Sequence, residues 1–366
     1  MSALFPDIDD VYLLSHSVGL APRGLRKHVD ENFFDPWQRT PDDVWTHWLS
    51  TVDRYREALA ALFTDTAANF CPQTNLSSAA TKVLYSLPEL RERPVVLLSE
   101  EAFPSLGYVF HKAEEHGFRV KFLSKSLNAA DPNVWREHLT PDVGLVLVTH
   151  VHSNTGQQLP IEDIAQVARE CGALSLVDTA QSNGILPIDL STNRFDFVIG
   201  SCVKWLCGGP GAGFLWVNPR MIDRTNPVDV GWFSHESPFE FDIRNFRFAD
   251  DALRFWGGTP SVLPLVAATH SMNVINSIGV GQIRAHNIEL TERLVASIDE
   301  GMLAGPSDAN QRGGTVVVNL GGRREKLLSR LKASRVRFDE RAEGIRLSPH
   351  IYNDRQDMET VIQCLA

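Results

Sequence analysis

Short apolar runs alternate with amphipathic stretches through the middle of this chain, and this alternation restricts the folds open to it. The apolar runs predict strands over 94–99, 119–123, 143–149, 173–178, 195–201 and 212–217. Between them, 104–117 and 161–172 have helical spacing, and each ends at a glycine. Near-continuous apolar strands that alternate with helices predict an α/β fold with a mainly parallel central sheet covered by helices.

The pattern changes after residue 260. Two long helices are predicted over 263–278 and 282–302, followed by strands over 315–320 and 344–347 and a helix after Asp354. A chain of 366 residues is long for one hydrophobic core. We therefore expect a large domain over 16–260 and a smaller α+β domain built from 1–15 and 261–366.

Composition excludes several classes of function. The net charge is −10 and no basic face interleaved with aromatics is visible, so we expect no nucleic-acid partner. No apolar stretch approaches the roughly 20 residues of a membrane span, so no membrane partner is expected either. The five cysteines have no metal-ligand spacing, which predicts no metal site. Their odd number, without a signal peptide, points to the reducing cytoplasm.

Two charged residues follow predicted strands. Lys204 comes after the apolar run 195–203 and is followed by a glycine-rich turn at 208–213, whereas Asp178 ends the run 173–178. Ligands of open α/β sheets bind outside the carboxyl ends of the strands, so both side chains are expected at one edge. A lysine in a dry pocket has a lowered pKa and can attack an aldehyde. A carboxylate beside it suits a buried pyridinium, so the pair predicts pyridoxal phosphate (PLP) in a Schiff base with Lys204.

Small polar residues at 72–79 open a predicted helix over 79–87 and include Gln73 and Thr74. Amides and hydroxyls at a helix N-terminus form an anion site, which would suit the cofactor phosphate. Plain N-capping of the helix by Thr74 or Ser77 is the alternative.

Further residues at strand ends suit the cofactor ring. Phe103 could stack on a pyridine ring, although a core position is equally open. Thr149 ends another strand, where a polar side chain could reach the phenolic oxygen, and Gln181 could donate a hydrogen bond. His150 and His152 alternate along this segment and should point to opposite faces, so which of them faces the pocket stays open.

Two residues nearer the C-terminus complete the candidate site. Thr259 lies in the turn 257–261, which either supplies a phosphate donor or links the two predicted domains. Arg346 stands on the predicted strand 344–347, where a guanidinium suits bidentate capture of a substrate carboxylate. A surface salt bridge is the alternative for Arg346.

Together these residues resemble fold-type-I PLP enzymes of the class V aminotransferase superfamily and, within it, the kynureninases. The similarity covers nearly the whole chain and rests on the segments 12–22, 103–105, 178–181, 203–211, 231–236 and 346–353. The resemblance implies that Lys204 and Asp178 are catalytic and that Trp232 serves the phosphate end of the cofactor. It also implies that His16, Ser17 and Arg346 contact the substrate.

The resemblance further implies a homodimer with shared active sites, because Trp232 and Thr259 would serve the phosphate of the neighbouring subunit's cofactor. Several positions depart from the kynureninase pattern. Val203 replaces a tyrosine, Leu106 an aspartate and Gln181 a histidine. The turn at Thr259 is more similar to that of aminotransferases and desulfurases.

The predicted function is therefore a PLP-dependent enzyme that acts on an amino acid by kynureninase-like cleavage at Cβ. A class V aminotransferase is the alternative reaction. Cysteine desulfuration ranks third, because no cysteine lies in a persuasive catalytic loop. A catalytically idle PLP-binding protein is the alternative from another class, and the presence of both Lys204 and Asp178 argues against it.

Overall fold

The computed structural model describes residues 2–39, 43–192 and 194–366. The strands, in chain order, are β1 (Val11–Tyr12), β2 (Phe70–Gln73), β3 (Val95–Ser99), β4 (Arg119–Leu123), β5 (Val143–Thr149), β6 (Leu174–Asp178), β7 (Phe197–Ser201), β8 (Gly213–Val217), β9 (Val316–Val318), β10 (Val336–Arg337), β11 (Asp339–Arg341) and β12 (Gly344–Leu347). The α-helices are α1 (Leu25–Val29), α2 (Asp35–Arg39), α3 (Val44–Phe63), α4 (Leu76–Tyr85), α5 (Pro104–Ala113), α6 (Pro132–His138), α7 (Ile161–Glu170), α8 (Val262–Ile278), α9 (Val280–Ser297), α10 (Arg324–Ala333) and α11 (Arg355–Leu365).

Within the described residues, seven strands form the main sheet in the order β2-β8-β7-β6-β5-β3-β4. Strand β8 runs antiparallel to both of its neighbours, and the remaining pairs are parallel. Strands β3, β5, β6 and β8 are buried along their whole length, because helices cover both faces of the sheet. This explains their continuous apolar runs and confirms the predicted α/β class.

Strand β2 was not predicted from the sequence. It is short and contains Pro72, which cannot donate a hydrogen bond to a neighbouring strand. Its place at the edge of the main sheet tolerates that missing donor, since β8 is the one strand that pairs with β2 among the residues the structure describes. Its polar end at Gln73 leads directly into helix α4.

The strand order of the main sheet determines where the candidate site lies. From β3 the chain passes outward to β4, whereas from β5 it proceeds through β6 and β7 in the opposite direction. The connections after β3 and β5 therefore diverge, which opens a crevice at the carboxyl ends of these two neighbouring strands. Phe103 follows β3 and Thr149 ends β5, so both lie at this crevice.

A second hydrophobic core lies in the C-terminal third of the chain. It joins Val11 on β1 to residues of α9, β9, β12 and α11. Beside it stand an antiparallel sheet of order β11-β12-β9 and a parallel pair of β1 with β10. Helix α8 packs instead with α3 in the core of the main sheet, through residues such as Leu265 and Met272. The expected division of the chain at 260/261 stays a prediction.

The described ranges contain neither a membrane-spanning helix nor a metal-binding cluster. No helix there has the length and apolar character needed to cross a bilayer. No group of three or more His, Cys, Asp or Glu side chains is arranged to hold a metal ion among these residues. The five cysteines are free thiols, and all but Cys171 are buried.

Candidate active site

Lys204 lies in a tight turn three residues beyond the end of β7. The backbone of Gly19 closes on this turn, and its N–H donates to the carbonyl of Val203 at 2.9 Å. A Cβ on Gly19 would overlap the carbonyl oxygen of Lys204, so only glycine fits at this close approach. The backbone at the lysine is thus held in place by its close contact with Gly19.

The surroundings of the Lys204 amine favour its neutral form. Burial lowers the pKa of Lys204 to about 8, although the charge of Asp178 acts in the opposite direction. A pKa this low leaves part of the amine neutral near neutral pH. The Nζ atom lies 5.4 Å from the centroid of the Phe103 ring.

A cavity of about 180 Å³ opens in front of this amine. It gathers five of the residues predicted from the sequence, namely Phe103, Thr149, Asp178, Gln181 and Lys204. The other lining residues are Asn75, Leu76, Ser77, Ser105, Leu106, Val151, Ser153, Ala180 and Ser201. Five residues predicted from their positions at or after strand ends thus line one cavity.

Asp178 is the buried carboxylate of the cavity. Burial raises its pKa, while a hydrogen bond from the N–H of Ala180 and the charges of Lys204 and His152 act to lower it. The Ala180 N–H lies 2.8 Å from Oδ1, so Asp178 caps the following turn and lines the cavity at once. Behind it, the Nδ1 atom of His152 lies 3.0 Å from Oε2 of Glu101.

The residues around the cavity fit PLP. Phe103 and Ala180 both line it, and an aromatic ring with a small side chain leaves room for a flat ring. The hydroxyl of Thr149 is buried and has no hydrogen-bond partner among the described residues, which is costly unless a ligand supplies one. Asp178 supplies the anion that a pyridinium requires.

The N-terminus of α4 forms the other end of the cavity. Asn75 caps the helix, and its side chain accepts the N–H of Ser78 at 2.9 Å. The alternative interpretation, in which Thr74 or Ser77 caps the helix, is therefore wrong, because Asn75 occupies the N-cap position and the helix begins at Leu76. The first two helical amides, of Leu76 and Ser77, have no partner within a helix and remain for an anion such as a phosphate.

The structure settles which side chains after β5 face the cavity. Thr149, Val151 and Ser153 line it, at alternate positions of an extended segment. His150 and His152 point away from it: His150 lines a separate cavity, and burial lowers its pKa to about 3. Neither histidine therefore lines the candidate site.

Four predicted cofactor or phosphate residues lie outside this cavity. Gln73, Thr74 and Thr259 line a neighbouring cavity of about 170 Å³, in which the amine of Lys82 donates to the carbonyls of Phe255 and Trp256. The Gln73 amide also donates to the Phe255 carbonyl. Trp232 lies in a third, aromatic groove and packs edge-on against Trp45. None of these four side chains lines the Lys204 cavity.

Arg346 is buried beside the cavity, and it is not a surface residue. Its Nη1 donates at 2.9 Å to the carbonyl of Ser153, which lines the cavity. Its Nε donates at 2.8 Å to Asp339, and Nη2 donates to the second oxygen of the same carboxylate. The guanidinium predicted to bind a substrate carboxylate thus already holds a carboxylate of the chain.

The two N-terminal substrate candidates differ in position. His16 is buried, and burial lowers its pKa to about 4, so the ring is neutral near neutral pH. Its Nε2 therefore donates to Asp339 at 2.8 Å, and its backbone carbonyl accepts the amide of Gln181 at 3.0 Å. Ser17 is exposed, and its N–H donates to the carbonyl of Leu14.

Sequence reasoning missed several residues of the site. Ser201 lines the cavity at the end of β7, three positions before the lysine, where strand-end reasoning could have found it. Ser153 would have followed from extending the alternation that begins at Thr149. Asp339 gave no local signal, because its role depends on the pairing of β11 with β12.

The architecture and the cavity together define a fold-type-I PLP enzyme. Solved structures share this fold: the complex of the cystine C-S lyase C-DES with its reaction product cysteine persulfide has a TM-score of 0.86 at 22% identity, covering 97% of each chain. The apo cysteine desulfurase from Thermococcus onnurineus NA1 has a TM-score of 0.84 at 20% identity, covering 97% of this chain and 93% of that one.

The chain belongs to the class V aminotransferase family, whose family model, Aminotransferase class-V, matches residues 74–361. A kynureninase from Deinococcus radiodurans is 31% identical over 295 residues, which cover 78% of this chain and 70% of that protein. A Bacillus subtilis protein described as an uncharacterized aminotransferase is 27% identical over 88% of this chain and 85% of its own length. The predicted cofactor, PLP, is thereby confirmed.

Proposed function

We propose that the enzyme acts on an amino acid whose carboxylate binds Arg346, and that it cleaves a bond at Cβ as in kynureninases. The observation that carries the proposal is the buried amine of Lys204, whose pKa is lowered to about 8 in a cavity that also holds the Asp178 carboxylate. Bound PLP supplies an electron sink for the negative charge that develops at the substrate Cα.

The chain's own residues divide the work around the cofactor. Lys204 would hold the cofactor through Nζ and, as a free amine when substrate is bound, would accept the Cα proton. Asp178 would stabilise a proton on the pyridine nitrogen, because an ionised carboxylate favours a pyridinium beside it. The Thr149 hydroxyl and the first amides of α4 would orient the ring and the phosphate.

Sequence similarity supports cleavage at Cβ as the leading reaction. Relatives named kynureninase from Deinococcus radiodurans and Xanthomonas euvesicatoria are 31% and 27% identical, the latter over 98% of this chain. The tyrosine that precedes the lysine in that pattern is Val203 here, so any acid for the later steps comes from another group.

Transamination is the second candidate, and one feature of the cavity favours it. Among the described residues that line the cavity, the ionisable side chains are Asp178 and Lys204. If Asp178 served the pyridine nitrogen, Lys204 would be the ionisable group left to move protons. A single base would suit an aminotransferase, in which the group that takes the Cα proton also returns it.

Desulfuration through a catalytic cysteine has less support. No cysteine lines the cavity in the described part of the chain. Burial raises the pKa of Cys71 and Cys202 to about 12, which keeps both as thiols rather than nucleophilic thiolates.

Product analysis distinguishes the three reactions. The holoenzyme is incubated with a panel of amino acids, L-kynurenine included, and products are identified by mass while cofactor absorbance is followed. Release of alanine supports cleavage at Cβ. A keto acid, with the cofactor left in its amine form, supports transamination instead, and sulfide or persulfide supports desulfuration. If no amino acid yields any product, the proposed function is wrong.

We also propose a homodimer with shared active sites. The segment 228–246 exposes large apolar side chains, namely Val228, Val230, Phe239, Phe241, Ile243 and Phe246. Ile243 is 96% exposed, and such a cluster marks a protein contact. Trp232 lies in the same segment, and neither Trp232 nor Thr259 reaches the cavity of its own subunit. A second copy would bring both to the phosphate end of its partner's cofactor.

A further inference from the structure

Asp339 accepts hydrogen bonds from the guanidinium of Arg346, which the proposed function assigns to the substrate carboxylate. The two residues are direct cross-strand partners in the antiparallel pair of β11 and β12. Both carboxylate oxygens accept hydrogen bonds from Arg346, one from Nε at 2.8 Å and one from Nη2. This is the bidentate geometry in which an arginine captures a free carboxylate.

A second arginine on the same strand also contacts Asp339. Arg341 lies two positions after Asp339, on the same face of β11, and its Nη2 lies 3.5 Å from Oδ2 of Asp339. Asp339 thus touches a buried arginine and a half-exposed one at once. If Asp339 released Arg346, its charge would still have a partner in Arg341.

The position of β11 permits such a movement. It is an edge strand of the small sheet and, in the described part of the chain, pairs only with β12. His16 donates to Oδ1 of Asp339 as a neutral ring, so it orients the carboxylate without adding a charge. Burial acts to raise the pKa of Asp339, but hydrogen bonds from Arg346 and His16 outweigh it and hold that pKa well below its usual range. Asp339 is therefore a permanent anion near neutral pH.

We propose that Asp339 is a built-in competitor for Arg346, which a substrate carboxylate displaces towards Arg341. This inference rests on the proposed function, since it takes Arg346 as the carboxylate site. Only a ligand whose carboxylate can take the place of Asp339 forms the bidentate hydrogen bonds with Arg346. Asp339 thus acts as a specificity-determining residue that selects for a carboxylate.

A matched pair of ligands isolates this effect. L-alanine and L-alaninamide share an amine and a side chain and differ in the carboxylate alone. Each is titrated into the holoenzyme, and the dissociation constant (Kd) is read from the change in cofactor absorbance. Asp339→Asn should lower the Kd for L-alanine about tenfold, because the fraction of enzyme with a free arginine rises. The Kd for L-alaninamide should stay the same.

Arg341→Gln provides the opposite test. Without its second partner, Asp339 should leave Arg346 less readily, so the Kd for L-alanine should rise. In the double variant with Asp339→Asn this effect should vanish, since Arg341 acts through Asp339. The control is Glu340→Gln on the same strand, which removes a charge paired with Arg324 and should change neither Kd.

Two other outcomes would each overturn the proposal. A higher Kd for L-alanine in Asp339→Asn, with an unchanged melting temperature, would show that Asp339 merely positions Arg346. An unchanged Kd would show that Asp339 does not compete for the guanidinium. A different failure belongs to the proposed function itself: if neither ligand alters the absorbance of the wild-type cofactor, the enzyme does not take these amines.

Discussion

At the scale of single residues, the proposed chemistry depends on two buried groups, Lys204 and Asp178, each of which shifts the pKa of the other. Burial lowers the pKa of Lys204, whereas the charge of Asp178 raises it. Burial likewise raises the pKa of Asp178, and the charge of Lys204 lowers it. Each group therefore sets the protonation state of the other, which makes the pair testable by pH.

The rate of PLP uptake by the apo-protein should depend on this pair. Below pH about 8 most of the Lys204 amine is protonated and unable to attack, so the rate of uptake should rise with pH and level off above that value. In Asp178→Asn the midpoint should move to lower pH, because the charge that raises the lysine pKa is gone. Uptake followed by stopped-flow absorbance gives both midpoints. A midpoint that Asp178→Asn leaves unchanged would contradict the coupling.

Asp178→Asn should also separate binding from catalysis. The contacts to the phosphate and to the ring face survive, so the variant should retain PLP. Its kcat should fall about a hundredfold or more, since the pyridine nitrogen loses the anion that stabilises its proton. Cofactor content is measured by absorbance after dialysis, and Asp163→Asn, on the exposed side of α7, serves as the control. A near-normal kcat would show that Asp178 only accepts the N–H of Ala180 and has no part in catalysis.

At the scale of elements, the turns after the strands determine the geometry of the site. Gly19 and the lysine turn touch through backbone atoms, so Gly19→Ala should displace Lys204. We expect a lower melting temperature and loss of most covalent cofactor. Gly107→Ala is the matched control: its Cβ would meet nothing within 4 Å, and alanine favours a helix interior by about 0.5–1 kcal/mol. A Gly19→Ala variant with full cofactor would contradict the close packing.

How much of the fold could be predicted from the sequence also differs from one element to another. The long buried strands and the helices between them could be predicted, because each has its own local period, and strand ends then located Phe103, Thr149, Asp178 and Lys204. What depends on pairing between distant segments could not be predicted. Strand β2 is short and contains a proline, and the partner of Arg346 lies on a strand of three residues. Neither of these two short strands has a distinctive sequence pattern.

At the scale of the whole molecule, the proposed dimer predicts complementation. Inactive Lys204→Ala protein is mixed with a Trp232→Ala/Thr259→Ala variant under conditions of subunit exchange. One site of each mixed dimer then combines an intact lysine with an intact Trp232 and Thr259, so activity should partly return. Light scattering of Ile243→Asp should show weakened association. An active, monodisperse wild-type monomer would contradict shared sites.

The most direct test of the whole account is the identity of the lysine that carries the cofactor. The purified holoenzyme is reduced with borohydride, digested and mapped by mass spectrometry. The account predicts one cofactor adduct per chain, on the peptide that contains Lys204, and none in Lys204→Ala. A stable adduct on another lysine, such as the buried Lys82 of the neighbouring cavity, would contradict the assignment of the active site.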